Sequence, residues 1–151
     1  MQHHDYIDLV ENRYFGMVAA GDIAATSRCF TADAVITILH GDNPLRIFKA
    51  APGPSEVHIS EFWRHLCGNF AVRFDEFEHF VDAAAHRCSA IFRVTLAPKA
   101  TSPYFTHGVL TLRNCNFFWI RGLQIEKMLV YYASPQPGGA PSMQPTGYPK
   151  G

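Results

Sequence analysis

The chain has 151 residues, of which 48% are apolar and 17% charged; that is enough for one domain with a buried core, and it excludes intrinsic disorder. Its 13 basic and 13 acidic side chains cancel to a formal net charge of zero, so there is no positive field to hold nucleic acid or an anionic membrane surface. No apolar run reaches membrane-spanning length, and the opening MQHHDYIDLVENRY is polar; the expectation is a soluble, cytoplasmic protein with Cys29, Cys67, Cys88 and Cys115 reduced.

In residues 5–20, Ile7, Val10, Tyr14, Met17 and Val18 recur at helical spacing and predict a first helix with one apolar stripe. Gly21 can end it, and Asp22 can cap a short second helix over DIAATSRCF. The period then changes to two. AVITILH (34–40) predicts a strand with Ile36, Ile38 and His40 on one face and Val35, Thr37 and Leu39 on the other. GDNP is a turn signal, and LRIFKA is compatible with a short second strand. After the breaker APGP, Ser55 is expected to cap a third helix, SEVHISEFWRHLCGNF, whose stripe is Ile59, Phe62, Trp63, Leu66 and Phe70. Four strands should follow: VRFDEFEHFVDA, RCSAIFRVTLA, THGVLTLRNCNFFWI and LQIEKMLVYYA, the last two joined by a hairpin at Arg121-Gly122. The domain is expected to end near residue 133, and the Pro- and Gly-rich residues 134–151 read as an extension.

Three helices gathered on one face of a curved, mainly antiparallel sheet make an α+β domain with room for an internal pocket between the layers. The stretch NRYFGMVAAGDIAATSRCFTADAVITI, the third-helix ISEFWRHL and the closing GLQIEKMLVYY carry a more specific signal. They resemble ketosteroid isomerases and the SnoaL-like polyketide cyclases of the NTF2-like superfamily, over residues 5–133. The resemblance implies an NTF2-like cone and chemistry without a cofactor. It places Tyr14 at the oxyanion-hole tyrosine, Trp63 at a pocket-lining aromatic, and the second oxyanion donor at Asn114 or the adjacent Arg113. The general-base aspartate of the isomerases falls on Ile38, which cannot accept a proton, so aspartate-based dienol chemistry is not expected.

The residues themselves leave alternatives open. Tyr14 lies on the apolar stripe, either as a core tyrosine bonded to a neighbour or as a donor to a ligand. His40 is two residues beyond Ile38, about 7 Å along the same strand face; it can serve as a proton acceptor or as a solvated strand end. Asn114 and Asn116 alternate with Leu110, Leu112 and Phe118, where buried amides need partners or a ligand oxygen. His79 on the third strand and His107 at the start of the fifth are further proton-transfer candidates, with Asp75 or Asp82 as orienting partners. Ile38, Trp63, Asn116, Phe118, Met128 and Tyr132 are the expected ligand-binding set. The eight histidines show no metal-ligand spacing, with His58 and His65 seven residues apart. There is no phosphate loop and no nucleophile elbow.

Two classes of function fit. One is a cofactor-independent acid–base enzyme that isomerises, cyclises or dehydrates an apolar oxygenated substrate, with Tyr14 and Asn114 polarising a carbonyl and His40 or His79 moving the proton. The other is a non-catalytic module that binds an apolar ligand or forms a homodimer through the outer sheet face of Phe117, Trp119 and Tyr131. The small subunits of ring-hydroxylating dioxygenases share the fold and supply a third possibility.

Overall fold

The first helix is a rod with an unusual middle. α1 (His3–Ile7) passes into a π-helical stretch (Asp8–Phe15) and then a last α-turn, α2 (Gly16–Ala19). The wider π-turn repeats at five residues, so Leu9 with Tyr14 and Val10 with Phe15 share a face. The buried stripe is accordingly Tyr6, Leu9, Val10, Tyr14, Phe15 and Val18, while Ile7 and Met17 of the expected stripe are only half-buried. Gly21 closes the rod at φ 72°. Its N–H donates to Val18 O at 2.9 Å, and that of Asp22 donates to Met17 O at 3.1 Å, the paired bonds of a left-handed helix terminator. Asp22 then caps α3 (Ile23–Arg28), accepting from Ala25 N at 2.9 Å.

The computed structural model describes residues 1–41 and 44–133; the centre of GDNP and the Pro- and Gly-rich extension lie outside them. Seven strands form one curved mixed sheet in the order β3-β2-β1-β7-β6-β5-β4. They are β1 (Phe30–Leu39), β2 (Arg46–Lys49), β3 (Val57–His58), β4 (Phe70–Asp82), β5 (Arg87–Pro98), β6 (Leu110–Arg121) and β7 (Gln124–Tyr131). β1–β7 and β2–β3 are parallel, and the other pairs are antiparallel. Together with the rod, α3 and α4 (Ile59–Asn69), this is the α+β cone expected. Among the described residues no helix is long and apolar enough to cross a membrane.

Several local expectations need correction. β1 starts at Phe30, four residues earlier than the β-branched run implied. The third helix is capped by His58 rather than Ser55: His58 Nδ1 accepts from Ser60 N at 3.1 Å, and Val57–His58 pairs with β2. Sheet pairing thus claims the residues that helical propensity would have taken. His107 lies in a 3₁₀ turn (Phe105–His107) before β6, not at the start of a strand. In the last hairpin Arg121 pairs with Gln124, so the turn residues are Gly122 and Leu123. Gly122 has φ 65°, the positive angle that a two-residue hairpin turn demands at its first position.

Two bulges decide which side chains face the helices. In β7 an extra residue between Ile125 and Lys127 brings Ile125, Met128 and Val130 all to the buried face. In β4 the register slips between Asp75 and Glu78, with Glu76 at φ 53°. A bulge of this kind reverses the alternation. Phe74 before it and Phe77 after it both reach Phe15, at ring distances of 4.6 and 5.4 Å, and His79 follows Phe77 on that inward side. Salt bridges from Arg93 and Arg113 to Glu76, at 3.4 and 3.0 Å, hold the left-handed residue in place.

Candidate functional site

Between the sheet and the helices lie two adjoining chambers that share Phe62, Leu66, Leu96 and Tyr132. The inner one has room for about 40 Å³ and is walled by Tyr14, Phe15, Phe92, Asn114 and Asn116 among others. The wider one, about 300 Å³, is lined by His40, Arg46, Phe48, His65, Phe70 and Tyr104 besides the shared residues and Glu61.

The π-stretch aims Tyr14 inward, where it is 2% exposed. Its hydroxyl accepts a hydrogen bond from Trp63 Nε1 at 3.1 Å. No acceptor for its own proton exists among the described residues, so that proton is available to a group in the inner chamber. Burial pushes the Tyr14 phenol far above its ordinary value, which keeps it a neutral donor. Asn114, from β6, lines the same chamber. Its Oδ1 accepts from Ala133 N at 3.1 Å, which fixes the amide orientation. Asn116 is less well served: Nδ2 meets Met128 Sδ at 3.6 Å, and Oδ1 is buried without a partner.

His40 follows the last residue of β1, 8% exposed, with its ring 5.4 Å from that of Tyr132. It lines the wider chamber, not the inner one. Burial and then the nearby charge of Arg46 hold His40 below its ordinary value, and the same two causes act on His65 of α4. Both imidazoles are therefore neutral near pH 7 and able to accept a proton. Burial raises the Tyr132 phenol, with the nearby charge of Arg46 opposing.

His79 is placed elsewhere. It lines neither chamber, stacks on Phe77 at 5.6 Å and meets Glu11 of the rod at 3.4 Å. Asp75 and Asp82 are not its partners: Asp75 is gripped by Arg93 through two bonds of 2.8 Å, and Asp82 takes Arg87 at 3.0 Å. Ile38, Trp63, Phe118 and Met128 are all at most 1% exposed and stand behind the chamber walls. Trp63 supports Tyr14, and Met128 supports Asn116. Arg113, the other position considered for the second donor, faces outward to Glu76. The four cysteines are free, and burial raises the Cys88 thiol to about 12. Among the described residues no three of His, Cys, Asp and Glu are grouped to hold one metal ion.

Arg46 and Tyr104 are not among the residues the sequence nominates, and His65 enters there only through its seven-residue spacing from His58. Arg46 and Phe48 alternate in the short second strand, and His65 stands three residues after Phe62 on its helix. Both spacings put them on inward faces. Tyr104 sits in an irregular loop with no such signal.

The depressed imidazoles carry a stability consequence. Below the ordinary histidine value of about 6.5, the unfolded chain binds protons that the folded chain refuses. Their contribution is complete above that pH and is lost as pH falls through it. The melting temperature should drop between about pH 7 and about pH 5. The drop should be shallower in His40→Gln and His65→Gln; slopes identical to wild type would mean that the imidazoles titrate freely.

No family model and no curated protein matches the sequence. In three dimensions the chain is similar to many solved structures. A candidate polyketide cyclase from Xanthomonas campestris pv. campestris shares 18% identity over 86% of this chain and 91% of its own, with a TM-score of 0.67. SalBIII, described as an epoxide hydrolase/cyclase-like enzyme in pyran ring formation in the polyether salinomycin, shares 17% over 88% and 95%, with a TM-score of 0.65. The BvnE pinacolase from Penicillium brevicompactum shares 7% over 87% and 88%, again at 0.65. At such identities the likeness is one of fold. The shared fold is the α+β one of a curved mixed sheet packed against helices.

Proposed function

We propose that this protein is a cofactor-independent acid–base enzyme of the SnoaL-like type, which isomerises, cyclises or dehydrates an apolar oxygenated small molecule. The observation that carries the proposal is that two side chains able to donate hydrogen bonds, Tyr14 and Asn114, line one small apolar chamber. Preorganised donors in a site with little water are what a developing enolate oxygen needs. The inner chamber accepts the reacting oxygen, and the rest of the substrate extends into the wider one past Tyr132. There the neutral His40 removes or returns the proton. The structural neighbours, two of them described as cyclases or cyclase-like and one as a pinacolase, lend support at the level of enzyme type.

Proton abstraction next to a carbonyl leaves a signature even when the product is unknown. In D₂O the enzyme should catalyse exchange of α-hydrogens on some member of a panel of cyclic and aryl ketones, read by NMR. The rate should rise with pH through a limb below the ordinary histidine value and level off near neutrality. A panel without any catalysed exchange would count against the enzyme.

The second reading, a binding or dimerisation module, is favoured by one feature of the outer sheet. Phe117 and Tyr131 are 39% and 41% exposed and pack edge to face at 5.7 Å, an apolar surface suited to a second copy. Such a module would hold ketones without exchanging their hydrogens, so the same NMR titration separates the two.

A further inference from the structure

The wider chamber is walled mainly by rings. Seven of its eleven lining residues carry a planar side chain, two are leucines, and Arg46 and Glu61 are the charged ones. No methionine, the side chain that most readily reshapes itself to a ligand, is among them. The rings come in pairs contributed by separate segments. Phe48 of β2 meets Phe62 of α4 at 5.5 Å. Phe70, the first residue of β4, stacks on Tyr104 of the loop before β6 at 5.3 Å with 28° between the planes. His40 after β1 meets Tyr132 after β7 at 5.4 Å, and His65 of α4 stands edge-on to Tyr104 at 6.2 Å. Each ring is braced by another, and each had only two side-chain torsions to fix.

We infer that the wider chamber takes a fused aromatic ring system, so that the substrate of the site proposed above is an aryl ketone and not an alicyclic one. This names the substrate class of that site and rests on that reading for its role in turnover, though not for binding. Flat, braced walls touch a flat ligand over its whole face and allow the offset and edge-to-face approaches that aromatic pairs favour. A saturated ring is puckered, and its axial hydrogens hold it off such walls, where a small gap already forfeits much of the contact. Size points the same way. A cavity of about 150 Å³ holds one benzene ring closely. The wider chamber, at about 300 Å³, fits two fused rings and leaves a single ring loose. The inner chamber, at about 40 Å³, is too small for a ring and suits the carbonyl oxygen. The two chambers share Phe62, Leu66, Leu96 and Tyr132, so a carbonyl attached directly to the ring system reaches from one into the other.

The test compares 1-tetralone with 1-decalone by calorimetry on the full chain. The two compounds share one ten-carbon skeleton and one ketone, and only the first has an aromatic ring. Hydrophobic transfer alone favours the saturated compound, which carries more apolar surface. Wild type should nevertheless bind the tetralone about 5- to 50-fold more tightly. Phe48→Leu and Tyr104→Leu each exchange a ring for a branched chain and should narrow that ratio; the double variant should erase it. By NMR the aromatic protons of tetralone bound to wild type should move upfield and show close contacts to the rings of Phe48 and Tyr104. Absence of tetralone binding, equal or tighter binding of the decalone, a ratio unchanged in the double variant, or no contact with those two rings would each overturn the inference. The wild-type comparison and the ring contacts do not depend on any variant folding. Exchange of α-hydrogens on both ketones with no preference for the tetralone would sink this inference alone. Ring-dependent tetralone binding without any exchange would support it while removing the enzyme reading.

Discussion

Tyr14→Phe is expected to lower kcat by about 10²- to 10³-fold, with KM little changed. The substitution removes the O–H that would meet charge developing on the substrate oxygen in the inner chamber. That hydrogen bond strengthens in the transition state, so its loss falls on kcat. The ring itself is kept, and with it the packing against Phe15 at 4.8 Å, Phe30 at 5.4 Å and Phe118 at 6.0 Å. A structural effect accompanies the catalytic one, because Trp63 Nε1 loses its acceptor; a buried donor left unpaired costs about 1–3 kcal/mol. Trp63→Phe separates the two effects. It deletes the donor and leaves Tyr14 its hydroxyl, so it should destabilise the protein yet spare most of kcat. If both variants lose the same activity at matched stability, Tyr14 acts only through the fold.

Phe15→Ala should destabilise the protein by about 3–5 kcal/mol, a large part of the roughly 5–15 kcal/mol that holds a domain of this kind together. Phe15 is 3% exposed and stands among five aromatic rings. Phe74 and Phe92 are both 4.6 Å away, Tyr14 4.8 Å, Phe77 5.4 Å and Phe118 6.3 Å. These contacts join the π-helical rod to β4, β5 and β6, so the rings cannot close the gap without moving several elements together. The truncation also enlarges the inner chamber, whose wall Phe15 forms. Urea unfolding should show a lower midpoint at an unchanged slope, and benzene should stabilise the variant but not wild type. A loss below about 1 kcal/mol would mean that the aromatic cluster collapses freely around the gap.

Most of the architecture was legible because it is written in short-range patterns. RCSAIFRVTLA alternates buried and partly buried residues along β5, and the stripe Ile59, Phe62, Trp63 on α4 is buried as its spacing required. Gly21, Asp22 and Gly122 punctuate the chain where their conformational preferences act. Tyr14, Asn114 and Asn116 could be nominated because each sits at an inward position of a regular element and, for Tyr14 and Asn114, because of the family resemblance; Tyr132 lies just past the end of β7. Their convergence could not be deduced in that way. The nomination of His79 shows the limit: it does face inward, but only because the bulge at Glu76 reverses the strand's alternation, and its partner proved to be Glu11. A register slip has no reliable local signature, as it is set by pairing with a neighbouring strand.

The amino-acid sequence by itself therefore determined the α+β class, the order of the main elements and the apolar character of the inner faces. These follow from propensity and periodicity, which act within a few residues. Tertiary structure decided the π-turn that brings Tyr14 and Phe15 to the core and the choice of His58 over Ser55 as a helix cap. It also decided the basic end of the wider chamber. His40, Arg46, His65, Tyr104 and Tyr132 come from separate segments and meet only when the sheet curves and α4 packs across it. Their shared burial and mutual charge make the site's chemistry, and neither exists until distant parts of the chain are in contact.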